Sequence, residues 1–280
     1  MSAEKRNPRL DEGLVTELTE RRPDLQAVIT KVHELTDFFM NDAAADFAVP
    51  APTLLRAKGA KNPAVASSRL SFFRRLLTLR SASLISEAIP ALNEARLLSF
   101  ALAARGLLET AALGAYHGPK LEIALVATDL PGGYMDSLRA AVMSSRFDWV
   151  KYLSDHATRQ KMIDEYSSAP REQAPADQAT NVFTMVDRLA DRLEGVMPRA
   201  RGIVHLDYAL LSDLCHPAAG SNLVFLTGAS DQQLTADLHP PRTTRLGFAE
   251  ALIHSLGYSA STVVEVLAAL EESNERLDRM

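Results

Sequence analysis

The stretch that decides the fold is PALNEARLLSFALAARGLLETAALGAYH, residues 90–117. Its leucines and its phenylalanine fall on every side of a helix, and a helix that is apolar all round is normally buried at the centre of a bundle. Pro90 suits the first turn of a helix, while Gly118 and Pro119 favour its end. The sequence therefore predicts a central helix from Pro90 to about His117.

Further helices are predicted on both sides of this segment. After Pro23, apolar residues recur every three to four positions as far as Phe39, which indicates an amphipathic helix. A second helix is predicted to begin near Ser68 and to stop or kink before Pro90, because a proline restricts the residue preceding it. The remaining helices are predicted at 148–166, 176–193, 199–216, 246–256 and 261–277.

Three segments without a helical period are predicted to be loops. They lie at 41–67, 167–175 and 217–245, and the last includes LVFLTGASDQQLTADL, which suits a β-hairpin about Gly228. The fold class predicted is all-α, a multi-helix bundle with a small β-hairpin insertion. Residues 1–67 are expected to supply an N-terminal helix and a basic linker. Residues 68–280 are expected to form the bundle with a C-terminal helix pair, the whole making one compact unit.

Composition limits the class of protein. The chain has 280 residues, of which 47% are hydrophobic and 23% charged, values ordinary for a soluble globular protein. The single cysteine, Cys215, excludes an intramolecular disulfide. The charged N-terminus does not resemble a secretory signal, and the longest uninterrupted apolar stretch, around 97–104, is too short to cross a bilayer. We expect a cytoplasmic protein without membrane contact.

Positive charge is concentrated in one tract. The net charge is -5, yet residues 47–86 contain no Asp or Glu. The tract has seven bases, which are Arg56, Lys58, Lys61, Arg69, Arg74, Arg75 and Arg80. With Phe72 and Phe73 among them, the arginines predict an RNA-binding surface. The alternative is a solvated helix face that pairs with acidic neighbours, which the pI of about 5.8 favours.

A polar face is predicted on the helix at 199–216. At 100° per residue, five side chains that donate, accept or titrate lie within about 80° of one another. They are Arg201, His205, Tyr208, Ser212 and His216. Histidine can act as acid or base and arginine can hold a phosphate, so this face suggests a catalytic site. The alternative is a hydrogen-bonded seam between helices. Ile203, Leu206, Leu210 and Leu214 are expected to face the core.

The central helix carries a second polar group. Arg105 and Glu109 lie four residues apart on one face of an otherwise apolar helix. A buried charge is costly unless it is paired. The two residues are therefore either an ion pair that fixes the helix register or part of a catalytic site.

The motif RGIVHLDY, residues 201–208, resembles the signature of the HEPN superfamily, in which a bundle helix carries an arginine, a short spacer and a histidine. The spacing from Arg199 to His205 fits that pattern, whereas Arg201 to His205 is short. The family's usual asparagine after the arginine is replaced by Ala200 or Gly202. The resemblance covers about ten residues, within an all-α context that extends over much of the bundle.

The resemblance implies a metal-independent endoribonuclease, of toxin or phage-defence type, acting as a homodimer without a cofactor. Arg199 or Arg201 would stabilise the charge developing on the phosphate, and His205 would assist proton transfer. Tyr208, Ser212, His216, Arg105 and Glu109 are further candidates, from the polar groups described above. The competing hypothesis is a non-catalytic helical module that binds a protein or RNA. A third is a small-ligand pocket near Ser212 and His216, closed by the loop at 217–245.

Other site types have little support in the sequence. No histidine follows a glutamate by three residues, as a di-iron bundle requires. HExxH, paired cysteines, GxxxxGK[ST] and GxGxxG are all absent. Neither a metal nor a nucleotide cofactor is expected, and Cys215 is expected to be a small packed residue.

Overall fold

The structure, a computed structural model, describes residues 7–45, 63–123, 138, 141, 155–168, 181–216, 226–229, 234–236 and 242–279. Eight helices and one two-stranded hairpin occupy these residues. The helices are α1 (Glu12–Arg21), α2 (Leu25–Ala44), α3 (Pro63–Asn93), α4 (Leu97–Ile123), α5 (His156–Ser168), α6 (Val182–Glu194), α7 (Ala200–Cys215) and α8 (Arg242–Asp278). The strands are β1 (Leu226–Ala229) and β2 (Leu234–Ala236).

Helix α4 lies at the centre of the bundle, as its all-round apolar sequence predicts. It packs against α3, α6, α7 and α8. Helices α1 and α2 pack on α8, and α2 also contacts α3, so the N-terminal part belongs to the same core. The predicted all-α multi-helix bundle is confirmed.

The break between α3 and α4 lies later than the sequence indicates. Pro90 is inside α3, and the chain turns at Ala95, whose φ of 57° is left-handed. The N–H of Arg96 donates to the carbonyl of Ala91 (2.7 Å), and that of Ala95 to Leu92 (3.2 Å), the pattern of a Schellman motif. The helix ends here because of this cap, which usually has glycine and here has alanine.

Two more predicted helix boundaries are wrong, because a residue that often ends a helix lies inside one here. Helix α4 passes through Pro119 and ends at Ile123. The two helices predicted for the C-terminal region are one continuous helix, α8, because Gly257 does not break it. A Cβ at Gly257 would lie 3.3 Å from Cγ1 of Val28, so this glycine allows α2 to approach α8 closely.

The predicted loops are shorter than expected where the structure describes them. Helix α2 continues to Ala44 and α3 begins at Pro63, a residue suited to a first helical turn. The hairpin exists as an antiparallel pair, with Gly228 opposite Thr235, although Gly228 lies in β1 and not in the turn. Residues 46–62, 148–154, 169–180 and 217–225, to which further predictions apply, lie outside the described residues.

Two described stretches are long and apolar enough to cross a membrane, in contrast to the sequence expectation. They are Leu97–Leu121 and Arg245–Asp278, and 61% of the most apolar window of each is buried inside the bundle. Central helices of soluble bundles have the same length and composition. The expectation of a protein without membrane contact rested on uninterrupted apolar runs, and it stays a prediction.

Candidate functional site

Helices α6 and α7 form an antiparallel pair that carries the best-defined polar group. Helix α6 is capped by Asn181, whose side chain accepts a hydrogen bond from the N–H of Phe183 (3.0 Å). Helix α7 starts after Arg199, which adopts a left-handed conformation with φ of 64°. The N–H of Arg201 donates to Glu194 Oε2 (2.9 Å), so a carboxylate stabilises the positive end of α7.

Arg201 and His205 face two aspartates on α6. His205 Nε2 lies 3.1 Å from Asp187 Oδ1, and Arg201 Nη1 lies 3.6 Å from the same oxygen. Arg201 also forms a close ion pair with Asp191. The side chains of Arg201 and His205 are 57% and 38% exposed, so solvent reaches both. This face is therefore a polar contact between two helices that solvent also reaches, and its catalytic role stays a prediction.

In the Asp187–His205 contact, Nε2 is the imidazole nitrogen nearest the carboxylate, and Nδ1 is the one that remains for a ligand. In the tautomer that carries its proton on Nε2, Nδ1 can accept a proton. Asp187 was not among the predicted site residues. The signal that points to it is the i, i+4 spacing of Asp187 and Asp191, which matches that of Arg201 and His205 on the facing helix.

The core face of α7 differs from the predicted one. The buried residues are Ala200, Val204, Asp207, Tyr208, Leu211 and Leu214. Of the four residues expected in the core, only Leu214 is buried, while Leu206 is 70% exposed and Ile203 is also exposed. The helix therefore packs through Val204, Tyr208 and Leu211, while Ile203 and Leu206 point outward.

A second polar group joins α4 to α7, and it brings Arg105, Glu109 and Tyr208 together. Arg105 Nε donates to Glu109 Oε1 (2.9 Å), and its guanidinium carbon lies 5.5 Å from the centre of the Tyr208 ring. Burial lowers the pKa of Arg105, but the hydrogen bond and charge of Glu109 outweigh it, so the net shift is upward. Burial raises the pKa of the neighbouring Cys215 thiol, so the thiol stays protonated at neutral pH.

A third group is buried between α7 and α8. Tyr258 donates to Asp207 Oδ2 (3.0 Å) and accepts from Ser255 (3.2 Å). Burial raises the pKa of the Asp207 carboxyl to about 6, although the hydrogen bond from Tyr258 lowers it in part. Burial and the nearby Asp207 also raise the pKa of Tyr258. Asp207 was not among the predicted site residues because it lies on a face of α7 that was not predicted to be the core face.

The other predicted catalytic residues do not join the Asp187–His205 contact. Arg199 precedes the first turn of α7, and His216 caps its last turn, about 16 Å from His205 along the axis. Ser212 is half-buried, and its hydroxyl has no hydrogen-bond partner among the residues that the structure describes. The predicted set therefore divides between the α6–α7 seam, the α4–α7 contact and the two ends of α7.

The predicted RNA-binding arginines of α3 are engaged with the protein. Arg69 is 1% exposed and is not at the surface. Arg74 contacts Asp42 and Glu271, and Arg75 donates to the last carbonyls of α2. Arg80 Nε donates to Thr110 Oγ1 (2.8 Å). These contacts fix α3 against its neighbours, while Arg56, Lys58 and Lys61 lie outside the described residues.

Within the part of the chain that the structure describes, no group of three or more His, Cys, Asp or Glu side chains is arranged to hold a metal ion. Comparison with family models, curated proteins and solved structures gives no match.

Proposed function

We propose that the protein is a metal-independent endoribonuclease whose site is the α6–α7 seam. The observation that carries the proposal is the contact of His205 Nε2 with Asp187 Oδ1, beside Arg201 on an exposed face. An imidazole oriented by a carboxylate and placed next to a guanidinium has the chemistry needed to act on a phosphodiester.

The reaction needs no metal and no cofactor. His205 Nδ1 takes the proton of an RNA 2′-hydroxyl, and the 2′-oxygen attacks the phosphorus. The bond to the 5′-oxygen breaks, that oxygen takes a proton from water, and a 2′,3′-cyclic phosphate remains. Arg201 moves from its aspartate partners towards the phosphate and stabilises the charge that develops there.

The enzyme acts as a homodimer through the outer face of α7. That face presents Leu206 and Ile203, and a Cβ added at Gly202 would meet no atom within 4 Å. Exposed apolar residues beside a helical glycine suit close contact with a second helix. A two-fold axis would bring two copies of the His205 site near one another.

The test is cleavage of a labelled single-stranded RNA in EDTA by the wild type and by matched pairs of variants. His205→Ala is expected to lower the rate by about 10²–10⁴-fold, while His216→Ala retains activity. Arg201→Ala is expected to lower it by about 10²–10³-fold, while Arg199→Ala does not. The expected product carries a 2′,3′-cyclic phosphate. Equal cleavage by wild type and His205→Ala would rule the proposal out.

A second candidate function is a non-catalytic helical module that binds a protein partner. The observation that favours it is the neutralisation of Arg201 by Asp187 and Asp191, together with the exposed Leu206. Under this function no wild-type cleavage occurs, while Leu206→Glu weakens association. The cleavage assay therefore distinguishes the two candidates.

A further inference from the structure

Phe183 is an exposed aromatic side chain in contact with a buried ring. It lies in the first turn of α6, is 59% exposed, and stands nearly perpendicular to Tyr208 with 5.6 Å between ring centres. Tyr208 is itself buried and has Arg105 on its ring. An exposed phenylalanine held in this way leaves part of its ring surface in contact with water.

Phe183 makes the first of three consecutive side-chain contacts between α6 and α7. The antiparallel helices pair Phe183 with Tyr208, then Asp187 with His205, then Asp191 with Arg201. Phe183, Asp187 and Asp191 are spaced four positions apart on α6, so each lies about 6 Å along the helix axis from the next. The Phe183–Tyr208 pair therefore lies about 6 Å from the Asp187–His205 pair, and a single nucleotide can span that distance.

The charges of the seam indicate that phosphate contacts alone cannot supply much affinity. Arg201 and Arg188 are paired with Asp187 and Asp191, and Glu194 adds a further negative charge at the start of α7. Proteins that bind single strands combine backbone contacts with stacking of bases on aromatic side chains.

We infer that Phe183 is a base-stacking residue, and that the ligand of the α6–α7 seam is single-stranded RNA with one unpaired base lying on the Phe183 ring. This inference rests on the proposed ribonuclease function. It adds a residue that holds the substrate. Stacking on Phe183 requires a single strand, because a base paired in a duplex is not free to lie on the ring.

Binding is measured by fluorescence anisotropy with a labelled 2′-O-methyl RNA single strand, which lacks the attacking hydroxyl and is not cleaved. Phe183→Leu keeps an apolar side chain but removes the ring, and it is expected to weaken binding about 5- to 150-fold. Phe183→Tyr is expected to bind like the wild type. Phe38→Leu, which replaces an exposed phenylalanine on α2, is the matched control and is expected to have no effect.

Three results separate this inference from the function on which it rests. Wild-type affinity in Phe183→Leu, with RNA cleavage still lost in His205→Ala, overturns the stacking role and leaves the ribonuclease standing. Ring-dependent binding without cleavage of ordinary RNA by the wild type keeps the stacking role and overturns the ribonuclease. No binding of the probe by the wild type, or equal binding of the same sequence as a duplex, overturns the inference.

Discussion

Asp207 shows how one residue can connect burial to a pH-dependent property. Its carboxyl is buried between α7 and α8, and its hydrogen-bond partner Tyr258 is a neutral hydroxyl. Burial raises the pKa of Asp207 to about 6, from 3.8. Because the folded-state pKa is raised, this residue's contribution to stability is fully present below about pH 4 and is lost as the pH rises through about 6.

The substitution Asp207→Asn tests that assignment. Asparagine keeps an oxygen that accepts from Tyr258 and carries no charge, so the variant avoids the cost of burying a carboxylate. We expect it to be more stable than the wild type at pH 8, by up to about 3 kcal/mol, and similar to it at pH 4. Thermal unfolding at the two pH values measures the difference. Asp213→Asn, at an exposed position on the same helix, is the control. Equal effects at both pH values would contradict the assignment.

At the scale of single residues, the sequence predicted part of the candidate site. Arg201 and His205 were identified because they lie four apart on a polar helix face, and that spacing depends only on helix geometry. Asp187 lies on another helix, so its contact with His205 depends on how α6 packs against α7. Asp207 was missed because hydrophobicity alone favours the face with Leu206 over the face with Val204 and Leu211.

At the scale of the elements, the presence of helices was predicted better than their ends. Apolar periodicity marked α2, α3, α4, α6 and α7, since it reflects burial of one side of a helix. The ends depend on local backbone geometry that sequence signals describe less well. Pro90 and Gly257 are both residues that often terminate helices, yet tertiary packing keeps them inside α3 and α8.

The cap of α3 gives a prediction about stability. Ala95 has a left-handed φ of 57°, which is unfavourable for any residue with a Cβ. Replacing it with glycine, Ala95→Gly, is expected to stabilise the protein by about 0.5–1 kcal/mol. The result is an increase of about 1–3 °C in Tm, measured by differential scanning calorimetry.

The matched control for Ala95→Gly is an alanine inside a helix. Ala251 is exposed within α8, where Ala251→Gly is expected to destabilise by about 1 kcal/mol. The two substitutions are chemically identical, so opposite signs isolate the backbone conformation as the cause. A decrease in Tm for both would mean that Ala95 does not form a left-handed cap.

At the scale of the whole molecule, apolar side chains remain exposed on several helices. Leu79 on α3 and Leu102 on α4 are examples, and single exposed residues of this kind are common in soluble proteins. The outer face of α7 differs because Leu206, Ile203 and the exposed Gly202 lie close together on it. Glycine in a helix costs about 1 kcal/mol relative to alanine, and no contact within the described residues compensates for it at Gly202.

The proposed homodimer through α7 would account for both the exposed leucine and the glycine. In a two-fold interface the same residues face each other, so a charge introduced at Leu206 would meet its own copy. We expect the wild type to sediment as a dimer at micromolar concentration and Leu206→Glu to weaken the dimer at least about tenfold, with like charges contributing to the loss. Analytical ultracentrifugation measures both. Leu79→Glu, on a different helix, should leave the dimer intact. A monomeric wild type, or a dimer unaffected by Leu206→Glu, would show that α7 does not form the interface. If Leu206→Glu loses both the dimer and RNA cleavage, the site requires both copies.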